Sequence, residues 1–490
     1  MTPQIRKVAL GMLVLFGALF INLNLIAVVQ SDDLRTDERN ARGLIAEYGI
    51  ARGAIIAGEG ADSRPIAGSE ETDGQLRYRR LYAEGPTYAH VTGYHSFVYG
   101  RSELEATFND FLTGSAPEAF ARNIADLLAG RQRDGDTLQL TIDPATQQAA
   151  VAALDGSIGA VTAIEPSTGE VLALASSPTY DPSELASHSG DEVRQAWDDL
   201  SGRDPDPRLN RAVRETYPPG STFKLVTAAA ALESGVRPDT TYADPQRLEL
   251  PLTTASIGNF DGGTCNQGQP ITLAQAMVVS CNTTFGQIGL DLGIDRLVRQ
   301  SERFGLNQEW EFQLPSPAVS AMPEDLDEPS TAQSAIGQRD VRVTPLAMSM
   351  ITAAIANGGE MVTPKVVRHV EDVSGRVLRR FEPEPLEFGG ESQAVSPETA
   401  SALRDMMAEA VASGTGTGAQ LEGVSVAGKT GTAQTAEGQP PTVWFTGFAP
   451  AENPQIAVSV VITDPGPEGT GGGVAAPLAR DVIAASLADG

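Results

Sequence analysis

The stretch PPGSTFKLVTAAAALESG, residues 218–235, places a lysine three positions after a serine at the start of an alanine-rich run. Two prolines and a glycine interrupt the preceding chain, and the run is typical of a helix, so Ser221 is predicted in its first turn. Residues at i and i+3 lie on one helix face, which allows the side chains of Ser221 and Lys224 to meet. A capping serine followed by an ordinary lysine would give the same pattern.

Lysine is rare in this chain. Lys and Arg total 35, and only four of these residues are lysine: Lys7, Lys224, Lys365 and Lys429. Arginine keeps its proton in proteins, whereas a lysine releases its proton when the charged form is disfavoured. A base that activates a serine therefore has to be lysine or histidine, and no histidine lies near Ser221 in the sequence.

Lys224 needs a lowered pKa to act as a base, because a lysine at about 10.4 is almost fully protonated at neutral pH. A second positive charge about 5 Å away, at an effective dielectric of about 20, opposes protonation by roughly 3 kcal/mol, or about two pKa units. The start of a helix and burial act in the same direction. Lys429, in VAGKTGTAQ, is the candidate for this second cation.

The segment around Lys429 is predicted as a strand. Gly431 permits the close approach of another backbone, and the hydroxyls of Thr430 and Thr432 alternate with the lysine and could hold a carboxylate. An edge strand with a lysine facing solvent is the alternative. A third element, VVSCNTTFGQ, places Ser280 and Asn282 at the end of an apolar helical run, where both could be ordinary capping residues.

In this order, Ser-x-x-Lys at 221–224, Ser-x-Asn at 280–282 and Lys-Thr-Gly at 429–431 form a signature of penicillin-binding proteins and class A β-lactamases. The chain from 156 to 490 resembles a penicillin-binding transpeptidase domain. The likeness extends to GAVTAIEPSTGEVLALASSPTYDP, SAIGQRDVRVTPLAMSMITAAIANGG and VWFTGFAP. The N-terminal apolar segment and the lack of a glycosyltransferase domain resemble class B.

The resemblance implies a role for each motif residue. Ser221 is expected to attack a D-Ala-D-Ala amide and form an acyl-enzyme, while Lys224 takes its proton. Ser280 and Asn282 are expected to relay protons and position the substrate. The backbone N–H groups of Ser221 and Thr432 would form the oxyanion hole, where losing one donor typically costs about 3 kcal/mol.

The Lys-Thr-Gly strand is expected to bind the substrate. Lys429 would serve the chemistry as a fixed cation and, with Thr430, Gly431 and Thr432, would bind the terminal carboxylate. The amine of a second peptidoglycan stem peptide would take the acyl group, and β-lactams would be trapped as stable acyl-enzymes. No cofactor is implied, and no Cys/His cluster suggests a metal.

The order of elements predicts an α+β fold. GAVTAI and VLALASS are typical of an antiparallel hairpin, helices dominate from about 221 to 413, and three strands follow. This pattern and the resemblance predict an antiparallel five-stranded sheet covered by helices over 156–490. Residues 30–155 are expected to form a non-catalytic domain. Of the Arg-Gly-x-Ile start usual in class B, Arg52, Gly53 and Ile55 remain, but the Asp-Arg-Asn-Gly stretch that usually follows is lost.

The N-terminus is predicted to anchor the protein in a membrane. Residues 8–29 are uncharged and reach roughly 33 Å as a helix, enough for a hydrocarbon core of about 30 Å. Two basic residues precede this run and two aspartates follow it, which predicts a cytoplasmic tail over 1–7 and a single-pass protein with its catalytic domain outside the cytoplasm. A cleaved signal peptide is the alternative.

Two further features of the composition bear on function. Cys265 and Cys281 are the only cysteines, and outside the cytoplasm a disulfide worth about 3 kcal/mol is expected, with two buried thiols as the alternative. The net charge of −28, without a basic run, argues against nucleic-acid binding.

The expected function is that of a peptidoglycan D,D-transpeptidase in cell wall synthesis and cell division. Division or elongation proteins, including a separate glycosyltransferase, are its expected partners. The motifs do not separate this activity from a D,D-carboxypeptidase or β-lactamase, in which water accepts the acyl group, but the anchor and the N-terminal segment favour the transpeptidase. A non-enzymatic β-lactam sensor or division scaffold is a second alternative, and intact lysines in a lysine-poor chain oppose it.

Overall fold

The computed structural model describes residues 3–25, 45–119, 122, 124–125, 128–130, 133–434, 440–466 and 469–488 of the 490. Its strands, numbered in chain order, are β1 (Ile55–Ala57), β2 (Arg64–Glu71), β3 (Tyr78–Tyr82), β4 (His95–Ser96), β5 (Gly100–Arg101), β6 (Thr137–Leu140), β7 (Gly159–Ile164), β8 (Val171–Ser177), β9 (Thr241–Tyr242), β10 (Arg247–Glu249), β11 (Ser256–Gly258), β12 (Ile271–Thr272), β13 (Val367–Glu371), β14 (Val377–Arg380), β15 (Ala427–Ala433), β16 (Thr442–Ala449) and β17 (Ile456–Ile462).

The α-helices are α1 (Pro3–Asn24), α2 (Gly85–Thr92), α3 (Glu103–Thr107), α4 (Asn109–Leu112), α5 (Pro144–Ala153), α6 (Gly190–Ser201), α7 (Arg211–Arg214), α8 (Lys224–Glu233), α9 (Leu273–Val278), α10 (Asn282–Leu292), α11 (Ile294–Arg303), α12 (Glu328–Ser334), α13 (Pro345–Ala356), α14 (Pro397–Ala412) and α15 (Ala476–Ala488). Short 3₁₀ turns lie between several of them, and the turn at Gly220–Phe223 leads directly into α8.

The predicted five-stranded sheet is confirmed, with strand order β15-β16-β17-β7-β8 and antiparallel pairing throughout. Every residue of β16 and β17 is buried, because α13 packs on one face of the sheet and α15 on the other. A strand covered on both faces is apolar along its whole length instead of alternating, which explains the run IAVSVVI. The β15 edge of this sheet carries the Lys-Thr-Gly motif.

The second large sheet, with order β14-β13-β6-β1-β2-β3, contains strands from both sides of residue 155. Strands β13 and β14 come from the middle of the expected 156–490 domain and extend the sheet of the N-terminal segment. The helical segment from about 221 to 413 therefore also contains the short strands β9 to β14, which the sequence analysis did not predict. Such strands are only two to five residues long, so they have little local signal. Strand β13 also pairs with β6, which lies more than 200 positions earlier in the sequence.

The two large sheets meet at the β8 edge of the five-stranded sheet. Asp143, after β6, donates its backbone N–H to Leu172 O at 2.9 Å, and Val171 donates to Lys365 O at 2.8 Å. The N-terminal segment is thus attached to the edge opposite β15, with three strands between the junction and the Lys-Thr-Gly strand.

Helix α1 is long and apolar enough to span a membrane, with mean hydropathy 1.7 over its most apolar window. It begins at Pro3, five residues before the predicted span, because Gln, Arg and Lys are good helix formers and let the helix include the charged start. The last four residues of the predicted span, 26–29, lie outside the described residues.

Candidate active site

Ser221 lies in the 3₁₀ turn Gly220–Phe223, half-buried at one wall of a cleft. Gly220 has φ 51°, in the left-handed region, and an added Cβ would lie 3.0 Å from the backbone carbonyl group of Thr432, so glycine permits the turn to approach β15. The indole N–H of Trp444 donates to Pro218 O at 2.9 Å and holds the chain before the turn. The predicted helix start is therefore a 3₁₀ turn, and the α-helix begins at Lys224.

Lys224 is fully buried, one helical turn after Ser221. Its Nζ lies 2.7 Å from the backbone oxygen of Ser280, 3.2 Å from Ser280 Oγ and 2.7 Å from Asn282 Oδ1. The second motif is therefore in direct contact with the lysine of the first.

Lys429, on β15, is also fully buried, and its Nζ donates to Ser280 Oγ at 2.9 Å and to Thr430 O at 3.0 Å. The hydroxyl group of Ser280 therefore lies between two lysine amines. An added Cβ at Gly431 would lie 2.7 Å from Pro219 O, so this glycine permits the close approach of β15 to the Ser221 turn, as its place in the sequence suggested.

The two threonines of β15 contact neighbouring loops. Thr430 Oγ1 lies 2.7 Å from Thr415 Oγ1, and Thr432 Oγ1 accepts a hydrogen bond from the backbone N–H of Gly471 at 3.3 Å. Both threonines line the cleft.

The Ser-x-Asn motif forms a turn between two helices. Helix α9 ends at Val278 and α10 begins at Asn282, so the predicted helix end is also the start of the next helix. Ser280 has φ 60°, a left-handed conformation that is uncommon for a residue with a side chain. A disulfide joins Cys281 to Cys265 across this turn, with 5.8 Å between their Cα atoms.

Burial, and then the charge of Lys429, hold the pKa of Lys224 well below its ordinary value. Burial alone lowers the pKa of Lys429 to about 7. Among the residues that the structure describes, neither amine has a carboxylate among its polar contacts. The lowered pKa values therefore disfavour holding both amines charged at neutral pH.

The cleft has a volume of about 700 Å³ and brings together residues from all three motifs. Sequence reasoning missed other residues of its wall, including Asn259, Phe260, Asp261, Thr415, Thr417 and Thr470. They lie in connecting loops, and their only signal was a composition typical of turns. Asn259 is the most informative of them, because its side chain contacts the backbone of the Ser-x-Asn turn.

Asp244, Cys265 and Cys281 form a cluster of residue types that can bind metals. The two sulfur atoms are joined in the disulfide, and the Asp244 carboxylate accepts backbone N–H groups of Cys265, Asn266 and Gly268. The disulfide and the Asp244 carboxylate therefore fix the 265–268 turn beside the cleft, and this structural role explains the cluster.

The antiparallel sheet and the three motifs around one cleft define a penicillin-binding transpeptidase fold. Residues 159–484 match the penicillin binding protein transpeptidase domain, and residues 52–138 match the penicillin binding protein A dimerisation domain. The chain belongs to the penicillin-binding protein transpeptidase family.

Individual relatives indicate which members of this family the chain resembles. The chain is 40% identical to the peptidoglycan D,D-transpeptidase PbpA of Mycolicibacterium smegmatis over the full length of both. It is 38% identical to PbpA of Mycobacterium tuberculosis over 99% of each chain. The imipenem acyl-enzyme structure of penicillin-binding protein A from M. tuberculosis superimposes with a TM-score of 0.85 at 38% identity, covering 90% of this chain and all of that one. The compact length and the Ser-Cys-Asn element resemble actinobacterial penicillin-binding protein A within class B, and these relatives confirm that prediction.

Proposed function

We propose that this protein is a peptidoglycan D,D-transpeptidase that cross-links stem peptides through an acyl-enzyme on Ser221. The observation that carries the proposal is the pair of buried lysines that contact one hydroxyl group, beside a serine that opens into the cleft. Two amines without a carboxylate are costly to bury in their charged forms, and this keeps one of them neutral and able to act as a base.

In the acylation step, Ser221 Oγ attacks the carbonyl carbon of the D-Ala-D-Ala amide, and its proton passes to the neutral amine of Lys224. The bond between oxygen and carbon forms, the amide C–N bond breaks, and the terminal D-Ala leaves as an amine. Ser280 Oγ gives that amine its proton and recovers one from Lys224, 3.2 Å away. The amine of a second stem peptide then attacks the ester: the new N–C bond forms, the C–O bond to Ser221 breaks, and the proton that the amine loses returns to Ser221 Oγ through Lys224.

Lys429, Thr430 and Thr432 bind the terminal carboxylate of the donor peptide in this proposal. An ammonium group and two hydroxyl groups complement a carboxylate, and Gly431 allows the substrate-binding strand to lie against the Ser221 turn. The backbone N–H groups of Ser221 and Thr432 stabilise the oxyanion, and the approach of Gly220 to Thr432 supports this pairing.

The same proposal covers the organisation of the chain. Residues 1–7 form a cytoplasmic tail, 8–29 an anchor in the cell membrane, 30–155 a non-catalytic domain and 156–490 the extracytoplasmic transpeptidase domain. The apolar helix α1 and the basic residues at its start support this orientation. Division or elongation proteins, including a separate glycosyltransferase, are the proposed partners.

Labelling with a fluorescent penicillin tests the nucleophile and the base. We expect the wild-type protein to be labelled and Ser221→Ala to be unlabelled. Lys224→Arg should lose labelling by at least about 100-fold, because a guanidinium keeps its proton. Lys365→Arg is the matched control: Lys365 is also buried, but its Nζ contacts Phe381 O and Glu170 far from the cleft. Undiminished labelling of Ser221→Ala would refute the assignment.

A second assay separates the transpeptidase from the hydrolytic enzymes of the same fold. The protein is given a stem peptide ending in D-Ala-D-Ala together with a second peptide that carries a free side-chain amine, and the products are weighed by mass spectrometry. A cross-linked dimer is expected. Exclusive formation of the shortened, hydrolysed peptide would favour the carboxypeptidase instead.

A further inference from the structure

The start of helix α10 is capped by a residue from a distant loop. Its own N-cap position, Cys281, makes no capping hydrogen bond with its side chain. Asn259 Oδ1 accepts the backbone N–H groups of Asn282 at 2.9 Å and Thr283 at 3.2 Å instead. Helix starts leave such N–H groups without partners, and an asparagine oxygen is among the best acceptors for them.

The same loop also orients the Asn282 side chain. Asn282 Nδ2 donates to Gly258 O at 3.1 Å, and this contact turns Asn282 Oδ1 toward Lys224 Nζ, 2.7 Å away. Asn259 Nδ2 in turn donates to Gly263 O at 2.9 Å and closes its own loop. Two consecutive residues at the end of β11 therefore determine both the position and the rotation of the Asn282 carboxamide.

The conformation of Ser280 explains why the 280–282 turn needs these hydrogen bonds to stay in place. A serine at φ 60° is strained, and strained residues persist where the surrounding structure fixes them. The hydroxyl of this serine has to remain within reach of both Lys224 and Lys429. A relaxed turn would move that oxygen out of line with one amine or the other.

We propose that Asn259 is a positioning residue for acyl transfer: it fixes the 280–282 turn so that Ser280 and Asn282 stay in register with Lys224. This inference rests on the proposed function. We expect Asn259 to affect the rate of the chemical step. We do not expect it to affect binding of the β-lactam carboxylate, which contacts strand β15.

Three variants test the proposal. Asn259→Leu removes the capping oxygen at similar volume. Asn259→Asp keeps an acceptor oxygen at the helix start, where a carboxylate is also a good cap, but it loses the donor to Gly263 and adds a negative charge. Gln246→Ala is the matched control, because Gln246 Nε2 donates to Gly262 O at 2.8 Å in the same loop. Within the described part of the chain, the Gln246 side chain does not hydrogen-bond to the 280–282 turn.

The measurements are the first-order acylation rate constant at saturating fluorescent penicillin, the dissociation constant of the complex before acylation, and the melting temperature. We expect Asn259→Leu to lower the rate constant by about 30- to 100-fold, with the dissociation constant within about threefold of wild type. Asn259→Asp should recover the rate constant to within about fivefold, and Gln246→Ala should stay within about twofold. Should Asn259→Leu not fold, Asn259→Gln takes its place, since one extra methylene displaces the capping oxygen.

An unchanged rate constant in a folded Asn259→Leu protein would overturn the inference. So would a loss in Gln246→Ala as large as in Asn259→Leu, because this would indicate a general effect of the loop. Failure of the proposed function looks different: wild-type protein that resists labelling, or labelling that persists in Ser221→Ala, would contradict it before Asn259 is considered.

Discussion

Two pairs of buried cations lie in this protein, and their surroundings are opposite. In the N-terminal part, Arg52 and Arg80 both bind the carboxylate of Glu105, which is fully buried, at 2.7 Å and 2.5 Å. In the cleft, Lys224 and Lys429 share the hydroxyl group of Ser280 and no carboxylate. The arginine pair is balanced by carboxylates, because Glu47 also lies 3.6 Å from Arg52. The lysine pair can reduce its charge only by giving up a proton.

The difference follows from the chemistry of the two side chains. Arginine stays charged in proteins, so a buried arginine needs an anion. Burial would raise the pKa of Glu105, but Arg80 and Arg52 outweigh that effect and lower it to about 2. Lysine can lose its charge, and burial lowers the pKa of both lysines in the cleft. Buried arginine in this chain indicates structure, and buried lysine without an anion indicates chemistry.

The largest expected effect is on stability, in the arginine cluster. Arg80→Met leaves buried Glu105 with one arginine, Arg52, and the Tyr82 hydroxyl, so the free energy of unfolding should fall by about 3–5 kcal/mol. Urea denaturation of the full-length protein measures this. A loss below about 1 kcal/mol would mean that the buried charges are balanced without Arg80.

The comparison also predicts how acylation depends on pH. In the proposed mechanism acylation needs neutral Lys224 and charged Lys429, so the rate constant should fall at low pH and again above about pH 7, where Lys429 loses its proton. The alkaline fall should approach tenfold per pH unit. In Lys429→Arg the alkaline fall should disappear, because the guanidinium stays charged. An alkaline limb that persists in this variant would assign it to another group.

A smaller effect is expected on the pH dependence of stability. The pKa of Lys429 is lower in the folded than in the unfolded protein, so the unfolded state binds more protons from about pH 7 upward to the ordinary pKa of lysine. The unfolding free energy of the wild type should therefore rise with pH relative to Lys429→Met, by at most about 1.4 kcal/mol per pH unit. Parallel curves for the two proteins between pH 7 and 9 would contradict the lowered pKa.

The smallest effect is expected at Arg79, the neighbour of Arg80 on β3. Its side chain is 45% exposed and its ion pair with Glu70 lies at the surface, so Arg79→Met should change the free energy of unfolding by about 1 kcal/mol or less. This variant is the matched control for Arg80→Met. Equal losses in both would show that the strand, and not the buried ion pairs, is sensitive to substitution.

Local sequence was enough for two parts of the five-stranded sheet. A short turn-rich segment joins the hairpin of β7 and β8, and the strands β15 to β17 follow one another closely along the chain. The pairing of β17 with β7 joins segments far apart in the sequence, and only the family resemblance predicted it. The N-terminal sheet was not predictable in the same way. β13 pairs with β6, whose residues lie more than 200 positions earlier, and no local pattern records such a pairing.

In the candidate site, too, some residues could be predicted from the sequence and others only from the folded chain. The lysines could be singled out because their residue type is rare in this chain and because only lysine suits the chemistry. Asn259 could not, since its segment NFDGGT, residues 259–264, has a composition typical of any turn. Its role depends on a backbone 23 positions later, which only the folded chain brings within 2.9 Å.

The sequence by itself determined which residues can carry the chemistry, because the ability to release a proton belongs to the side chain and not to its position. Only the tertiary structure decided how the groups are coupled: it buried two amines together, placed one hydroxyl between them and supplied the distant cap of that turn. Burial and distance set the strength of electrostatic interactions, and both arise only when segments far apart in the chain pack against each other.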